Sequence, residues 1–330
     1  MSSPLYVITG ATGHIGYALL KKLTDRGDRV RILIRKDTPV FDGIECEKAF
    51  GDVTNPDTLD AAFEGADVVF HLAGIIDINV GNEEMIWKVN FEGTKNVVRA
   101  VQRCGVKRLV YASSVDAFIP LPDNQIMRET DSFDVTALDG TYAKTKAAAT
   151  NLILHTVRTE NLDAVIVFPG ACIGPYDFKV SNAGEMVRMS MHGSFPASLN
   201  FGAYNFVDVR DVADGMIAAA EKGRKGEGYI LCGEQITTHG FIKTVAEAAG
   251  KKAPRIRVGK GIVTIAAPIM EVYYKISKQT PLFTRYSIRK LTSNCNFSID
   301  KARRELGYNP MSVQKSVRDM VEWIRENEKQ

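Results

Sequence analysis

"VITGATGHIG", residues 7–16, places three glycines between an apolar strand and an amphipathic helix. The strand is LYVIT (5–9), and the helix HIGYALLKKLTDRG (14–27) carries apolar residues at helical spacing. Glycines in such a turn let the backbone approach a pyrophosphate, and free amides at the helix N-terminus bind the anion. An ordinary glycine-rich turn has the same composition, but the strand–turn–helix context favours a dinucleotide site. The three glycines are Gly10, Gly13 and Gly16.

Strand and helix signals continue to alternate beyond this turn. Short apolar strands are predicted at 29–35, 66–74, 106–114 and 163–170, with helical patterns between them. This alternation favours a parallel sheet with helices on both faces. Right-handed crossovers then predict an α/β, doubly wound fold of the Rossmann type.

The alternation of strand and helix signals becomes less regular after Pro169, where glycine, proline, methionine and aromatic residues become more frequent. Within this region, one further helix and one further strand continue the alternation that is seen in the first 170 residues. We therefore expect a dinucleotide-binding domain of residues 1–170 plus about 206–233. The remaining residues, about 171–205 plus 234–330, are expected to form a smaller, discontinuous C-terminal cap that binds substrate.

The composition excludes several classes of function. The 330 residues carry a net charge of +3, too small to indicate nucleic acid or an acidic membrane as partner. The five cysteines are scattered without a CxxC or Cys/His cluster, so neither a metal site nor a disulfide framework is expected. Because strand-like residues begin at Leu5, no signal peptide is indicated, and we expect a cytoplasmic protein.

The most apolar run is GIVTIAAPIM, residues 261–270. Pro268 interrupts it, and Glu271 and Lys275 follow, so it is too short to span a bilayer. The segment 261–283 is open to two interpretations, which are an apolar pocket or core element and a contact with a membrane surface. The pocket or core is favoured.

A second pattern, TYAKTKAAA (141–149), sets Tyr142 and Lys146 four residues apart. On a helix this spacing places both side chains on one face. A nearby ammonium favours the phenolate and lowers a phenol pKa from its usual ~10, which makes the tyrosine usable in proton transfer. By itself the pair is also compatible with a solvated helix face.

The second predicted strand ends at Arg35, which Lys36 follows. An acidic residue there would bind the ribose of NAD, whereas a guanidinium suits the extra 2′-phosphate of NADP. NADP(H) is therefore favoured, and NAD(H) remains possible because Asp37 is close and charged strand ends are common.

Six blocks in order, with two later ones, resemble the extended branch of the short-chain dehydrogenase/reductases, also called the NAD-dependent epimerase/dehydratase family. They cover nearly the whole chain, and their order and spacing are far more specific than any one block. The blocks are TGATGHIG (9–16), GDVTNPDTL (51–59), HLAG (71–74), VNFEGTKNV (89–97), VYASS (110–114), YAKTK (142–146), NFVDVRDVADG (205–215) and FSIDKARRELGYNP (297–310).

The resemblance implies catalytic roles at matching positions. Tyr142 would be the general acid and base, and Lys146 would lower its pKa and hold the nicotinamide ribose. Ser114 would bind the substrate oxygen, with Ser113 as the weaker candidate. Asn90 would lie on the helix beneath the site. A strand-end role for the serines and a capping role for Asn90 are the alternatives.

The resemblance also implies a coenzyme site along the sheet edge. Asp52 and Val53 would flank the adenine, although Asp52 also suits a turn before Pro56. The coenzyme residues so implied are Gly10, Thr12, Gly13, His14, Ile15, Gly16, Arg35, Lys36, Asp52, Val53, Leu72, Ala73, Gly74, Tyr142, Lys146, Pro169 and Gly170.

One departure from the family pattern indicates the class of substrate. Sugar-nucleotide members commonly have an arginine before the F-x-x-V-x-D-V-A block, where this chain has Asn205. This favours a net oxidoreductase on an apolar hydroxy or keto compound, on the dihydroflavonol reductase and 3β-hydroxysteroid dehydrogenase side. A nucleotide-sugar epimerase or dehydratase is the alternative, and a non-catalytic cofactor-binding regulator is less favoured. The expected substrate residues are Ile75, Asp116 and Asn205.

The resemblance further implies a homodimer. The helices over about 83–104 and 142–158 are the pair that commonly forms a four-helix interface in this family. The partners expected besides a second copy are small molecules only.

Overall fold

The computed structural model describes residues 3–76, 82–195, 197–266 and 285–328. A central sheet of seven parallel strands dominates these ranges. Its strands are β1 (Leu5–Thr9), β2 (Arg29–Ile34), β3 (Glu47–Phe50), β4 (Val68–His71), β5 (Arg108–Ala112), β6 (Ala164–Pro169) and β10 (Gly228–Leu231). Their order across the sheet is β10-β6-β5-β4-β1-β2-β3.

The strand order reverses between β1 and β4, where Thr9 lies beside His71. Doubly wound sheets bind ligands outside the carboxyl ends of their strands at such a reversal. Strands β1 and β6 are buried along their whole length, as expected for parallel strands covered on both faces. The predicted α/β Rossmann fold is therefore confirmed.

The helices that cover this sheet form two groups. In one group α1 (His14–Asp25) packs against α7 (Val209–Lys222), and in the other α4 (Gly93–Arg103) packs against α2 (Leu59–Phe63) and α5 (Thr141–Thr159). Further described helices are α3 (Glu83–Trp87), α6 (Asn182–Met191), α8 (Thr238–Ala248), α9 (Arg285–Leu291), α10 (Asp300–Leu306) and α11 (Val313–Asn327).

Two elements differ from the sequence-based expectation. The helix predicted over 83–104 is divided, because a π-helical turn, Lys88–Glu92, separates α3 from α4. Strand β3 was not predicted at all. Its side chains are largely exposed at the sheet edge, so the apolar run that identifies a buried strand is absent.

Beyond the carboxyl edge of the sheet lie two small sheets. One contains β7 (Ala171–Ile173), β9 (Ala203–Asp208) and β11 (Glu234–Thr237), and the other pairs β8 (Ser198–Leu199) with β12 (Arg257–Val258). These sheets lie largely in the segments of about 171–205 and 234–330, and we call the described residues of those segments the cap. It has a hydrophobic cluster of its own, in which Phe206 stacks on Phe241 with ring centroids 4.0 Å apart.

An arginine ties the cap helix α11 to the start of α7. The guanidinium of Arg210 pairs with Asp208 at 2.8 Å and with Asp319 at 2.6 Å. Because Asp208 is fully buried, this guanidinium is committed to an ion pair within the protein.

The described ranges contain no helix long and apolar enough to cross a membrane. Of the apolar segment 261–283 singled out above, residues 267–283 lie outside the described ranges.

Candidate active site

The glycine turn follows the carboxyl end of β1. Gly10 has a φ of 79°, and a Cβ there would lie 2.6 Å from the Ala73 amide nitrogen. A Cβ at Gly16 would collide with the Gly10 carbonyl oxygen. Gly13 is the N-cap of α1 and brings no side chain that would occupy the first-turn amides. This turn therefore fits the close approach of a pyrophosphate.

A cavity of about 500 Å³ opens from this turn and extends between the sheet edge and the cap. Most of the predicted site residues line it. They are Gly10, Gly13, His14, Ile15, Gly16, Leu72, Gly74, Ser114, Asp116, Tyr142, Lys146, Pro169, Gly170 and Asn205.

Three of these side chains form the centre of the candidate active site. Ser114 follows β5, and Tyr142 and Lys146 lie on the first two turns of α5; each is less than one-tenth exposed. The Lys146 ammonium donates a hydrogen bond of 2.7 Å to the Ala112 carbonyl oxygen and lies 4.9 Å from the Tyr111 ring centroid. The hydroxyl of Ser113 is bonded to Thr150 of α5 at 2.8 Å.

Burial controls the proton affinities of this centre. It raises the pKa of Tyr142, the nearby carboxylate of Asp116 adds to the rise, and a hydrogen bond with Ser114 opposes it. Burial also lowers the pKa of Lys146 to about 7. Desolvation of the phenolate is the largest effect on Tyr142, and Lys146 is not among the groups that shift its pKa here, so the expected lowering by Lys146 stays a prediction.

Asn90 lies in the π-helical turn and is 1% exposed. Its amide oxygen accepts a 2.7 Å hydrogen bond from the Ile75 nitrogen, and its amide nitrogen donates to the Ile75 oxygen at 3.0 Å and to the Thr145 hydroxyl at 3.1 Å. Both ends of the amide are therefore used to hold the chain after β4 against α5. Asn90 was expected among the catalytic residues; it does not line the cavity, and this geometry makes it a positioning residue.

A buried hydrogen-bond network continues from Asn90 to the glycine turn. Thr94 donates to the Asn90 carbonyl oxygen at 2.6 Å and contacts His71 at 3.0 Å, and His71 in turn contacts Thr9 at 2.7 Å. Burial, with the nearby Lys146 cation, lowers the pKa of His71 to about 3, so the imidazole is neutral. His71, in the HLAG block, is therefore a structural residue of this network.

The adenosine end of the expected coenzyme site is marked by charge. Arg35 and Lys36 are exposed after β2, whereas the Asp37 carboxylate is held by Lys48 at 2.9 Å. A third cation at this end was not found from the sequence, because it lies far along the chain. The ammonium of Lys179 donates to the Thr12 hydroxyl at 3.0 Å, and burial and the charge of Arg35 lower its pKa.

Residues 52 and 53 were expected to flank the adenine. The Asp52 carboxylate accepts 2.8 Å hydrogen bonds from both the amide and the hydroxyl of Thr54. Val53 is buried, and its carbonyl oxygen accepts from Asn96. These hydrogen bonds are those expected if Asp52 forms a turn, which was the alternative to a role in binding adenine.

The cap side of the cavity is mostly apolar. Its apolar side chains include Met186, Phe195, Leu199, Ile242, Leu291 and Phe297. Among the expected substrate residues, Ile75 does not line the cavity, and its backbone is held by Asn90. The neighbouring Ile76 lines the cavity instead.

Two polar features interrupt this apolar wall. Asp116 forms an ion pair of 2.8 Å with Lys290 of α9, which nothing in the sequence had indicated. Asn205 is buried, and its amide nitrogen makes only a 3.5 Å contact with the Cys295 carbonyl oxygen. Its amide oxygen has no hydrogen-bond partner among the described residues. The residues that the structure describes contain no cluster of metal ligands.

Comparisons with known proteins agree with this geometry. The NAD dependent epimerase/dehydratase family matches residues 6–232. "Sterol demethylase protein B" of Methylococcus capsulatus is 34% identical over 97% of this chain and 98% of that protein. A "3-beta-hydroxysteroid dehydrogenase" of Mycolicibacterium neoaurum is 30% identical over 92% of this chain and 87% of that protein. The solved structure of gox2253 has a TM-score of 0.86 at 34% identity and covers 98% of both chains.

These similarities define the class of protein. The chain belongs to the NAD-dependent epimerase/dehydratase family, the extended branch of the short-chain dehydrogenase/reductases. It is an enzyme, an oxidoreductase that uses a nicotinamide coenzyme, as the sequence predicted.

Proposed function

We propose that this enzyme transfers a hydride between NADP(H) and a carbonyl or hydroxyl group of a fairly apolar, steroid-like substrate. The observation that carries the proposal is that apolar side chains of the cap line the same cavity as Ser114 and Tyr142. Burying hydrocarbon there contributes about 25 cal/mol per Å² removed from water. The similarity to proteins named for sterols and steroids supports the same substrate class.

In this proposal Ser114 and Tyr142 hold the reacting oxygen from two sides. A bound nicotinamide supplies or accepts the hydride. Because burial raises its pKa, Tyr142 keeps its proton at neutral pH and donates it to the carbonyl oxygen during reduction. Lys146 is fixed by Ala112 beside the expected position of the nicotinamide ribose, where its ammonium is able to donate to hydroxyls.

A sugar nucleotide is the less favoured substrate. Its diphosphate requires a cation, but Asn205 is neutral and Arg210 is committed to Asp208 and Asp319. A cation that lines the cap side of the cavity, Lys290, is paired with Asp116. Charge-assisted hydrogen bonds are roughly twice as strong as neutral ones, so this wall suits hydrocarbon better than phosphate.

The preference for NADP(H) is supported by the charges at the adenosine end. Arg35 and Lys179 are two cations close enough to interact, and their repulsion is relieved by an anion between them. The carboxylate that would favour NAD, Asp37, is turned towards Lys48.

We expect Arg35→Asp to weaken NADPH binding about tenfold or more and to leave NADH binding within a few-fold. Titrations of both coenzymes measure this. Arg29→Gln, an exposed cation at the opposite end of β2, is the matched control and should change little. Equal affinity of the wild-type enzyme for NADH and NADPH would contradict the preference without affecting the catalytic assignment.

The substrate proposal is tested by absorbance of the coenzyme during incubation with steroids, other apolar ketones and alcohols, and sugar nucleotides. We expect stoichiometric coenzyme turnover with an apolar compound. Redox-neutral conversion of a sugar nucleotide, with UDP as competitive inhibitor, would contradict it.

Three further parts of the proposal concern the whole enzyme. We propose residues 171–205 and 234–330 as the substrate-binding cap. We propose a homodimer through the helices over 83–104 and 142–158; Met85, 52% exposed on α3, would be covered by it. We also propose a cytoplasmic location, supported by five unpaired cysteines.

A further inference from the structure

One stretch of the cap combines positive charge with exposed isoleucines. Residues 251–266 contain five cations and no aspartate or glutamate. We call this stretch the basic strip. Its cations are Lys251, Lys252, Arg255, Arg257 and Lys260, and all five are exposed.

These cations are not neutralised within the described part of the chain. None of them forms an ion pair with a carboxylate there, and Arg257 contacts the neutral side of a histidine, Nε2 of His239, at 3.0 Å. Burial, with the nearby cations Arg257 and Lys243, lowers the pKa of His239, so its imidazole is neutral and offers the strip no counter-charge. The basic strip therefore presents an uncompensated positive field to its surroundings.

Three isoleucines project from the same strip. Ile256, Ile262 and Ile265 are 64%, 67% and 77% exposed. Ile262 and Ile265 are three residues apart in the helical residues 260–266, so they share one helix face. Large aliphatic side chains exposed together in this way commonly mark an interaction surface.

The opposite side of the strip rests on the wall of the substrate cavity. Val263 is buried and packs in a cluster with Leu199 and Leu291, both of which line the cavity. The backbone of β12 pairs with β8, where Ser198 also lines the cavity. The exposed isoleucines are therefore one layer of side chains away from the expected substrate.

We propose that the basic strip docks the enzyme on an anionic phospholipid bilayer. Cations would lie at the headgroups, each contributing an attraction that falls off within the Debye length, while Ile262 and Ile265 would enter the acyl boundary. Charge complementarity selects this partner over an apolar protein surface, because five cations without a counter-charge disfavour burial in a neutral interface. Docking here would place the cavity wall beside a membrane, in which apolar substrates accumulate.

Co-sedimentation of the full-length protein with vesicles tests the proposal. We expect binding to vesicles of equal parts phosphatidylcholine and phosphatidylglycerol, little binding to pure phosphatidylcholine, and release by high salt. Ile262→Glu together with Ile265→Glu should lower the partition about tenfold or more, and Lys251→Gln with Lys252→Gln should do the same.

Phe50→Glu is the matched control, because Phe50 is 60% exposed on β3 at the far edge of the sheet. This variant should bind vesicles like the wild type. Thermal unfolding and coenzyme affinity, measured on each variant, show that it remains folded.

Three results would overturn the proposal: no binding to anionic vesicles, equal binding to both vesicle types, or binding unchanged by the isoleucine and lysine variants. Loss of binding in the lysine variant alone would also overturn it, because it would show attraction of any polyanion without insertion. The vesicle experiment needs neither substrate nor turnover, so its failure leaves the proposed reaction untouched.

Discussion

The two walls of the cavity are held in place differently. On the sheet side, Asn90 and His71 satisfy both ends of their side chains in one buried network that reaches from Thr9 to Thr145. On the cap side, Asn205 leaves its amide oxygen without a partner among the described residues. The buried amide and imidazole on the expected coenzyme side therefore have their hydrogen bonds satisfied within the protein, whereas the buried amide on the expected substrate side retains an unused acceptor.

The largest expected effect comes from a comparison of two tyrosine variants, one on each wall of the cavity. Tyr142→Phe should lower the rate of hydride transfer roughly 10²- to 10⁴-fold and leave coenzyme affinity within a few-fold, because only the proton donor is lost. Tyr204, which lines the cap side of the same cavity, is the matched control. Tyr204→Phe should affect KM more than turnover. Single-turnover hydride transfer and coenzyme titration are measured on both variants. A wild-type rate of hydride transfer in Tyr142→Phe would show that Tyr142 is not the proton donor.

The second effect concerns stability and compares the two buried asparagines. Asn90→Leu leaves the Ile75 amide and carbonyl without partners, so we expect it to lower the free energy of unfolding by about 2–4 kcal/mol. Asn205→Leu removes an acceptor that has no partner, and we expect a change within about 1 kcal/mol. Urea unfolding of both variants gives the values. Equal losses would show that the two walls are equally dependent on their amides.

The third effect is a pH dependence of stability that arises on the sheet side. Because burial lowers the pKa of Lys146 to about 7, the unfolded chain binds the proton more tightly than the folded one between about pH 7 and the usual lysine pKa of ~10.4. Stability of the wild type therefore rises with pH across this window, by at most about 1.4 kcal/mol per unit from this group.

Lys146→Met should remove that slope. Urea unfolding of wild type and variant at several pH values between 7 and 10 measures it, and we expect the stability of the wild type relative to the variant to increase as the pH rises. Parallel pH curves for the two proteins would show that the ammonium is not destabilised by burial.

The sequence by itself determined the sheet side. The glycine turn, the strand ends and the Tyr142–Lys146 spacing are local patterns, because a parallel strand followed by a helix fixes where its terminal residues lie. The predicted strands and helices of the first 170 residues therefore lie within a few residues of those observed, apart from β3 and the π-helical turn.

Only the tertiary structure decided how these side chains interact. The sequence suggested that Lys146 lowers the pKa of Tyr142, but burial of both groups governs their proton affinities, and burial is a property of the packed chain. Lys179 and Lys290 reach the cavity region from segments 167 and 174 residues away from Thr12 and Asp116, so no local spacing predicts either contact. The cap wall is assembled from distant segments, since its residues are brought together by packing and not by the period of one helix or strand.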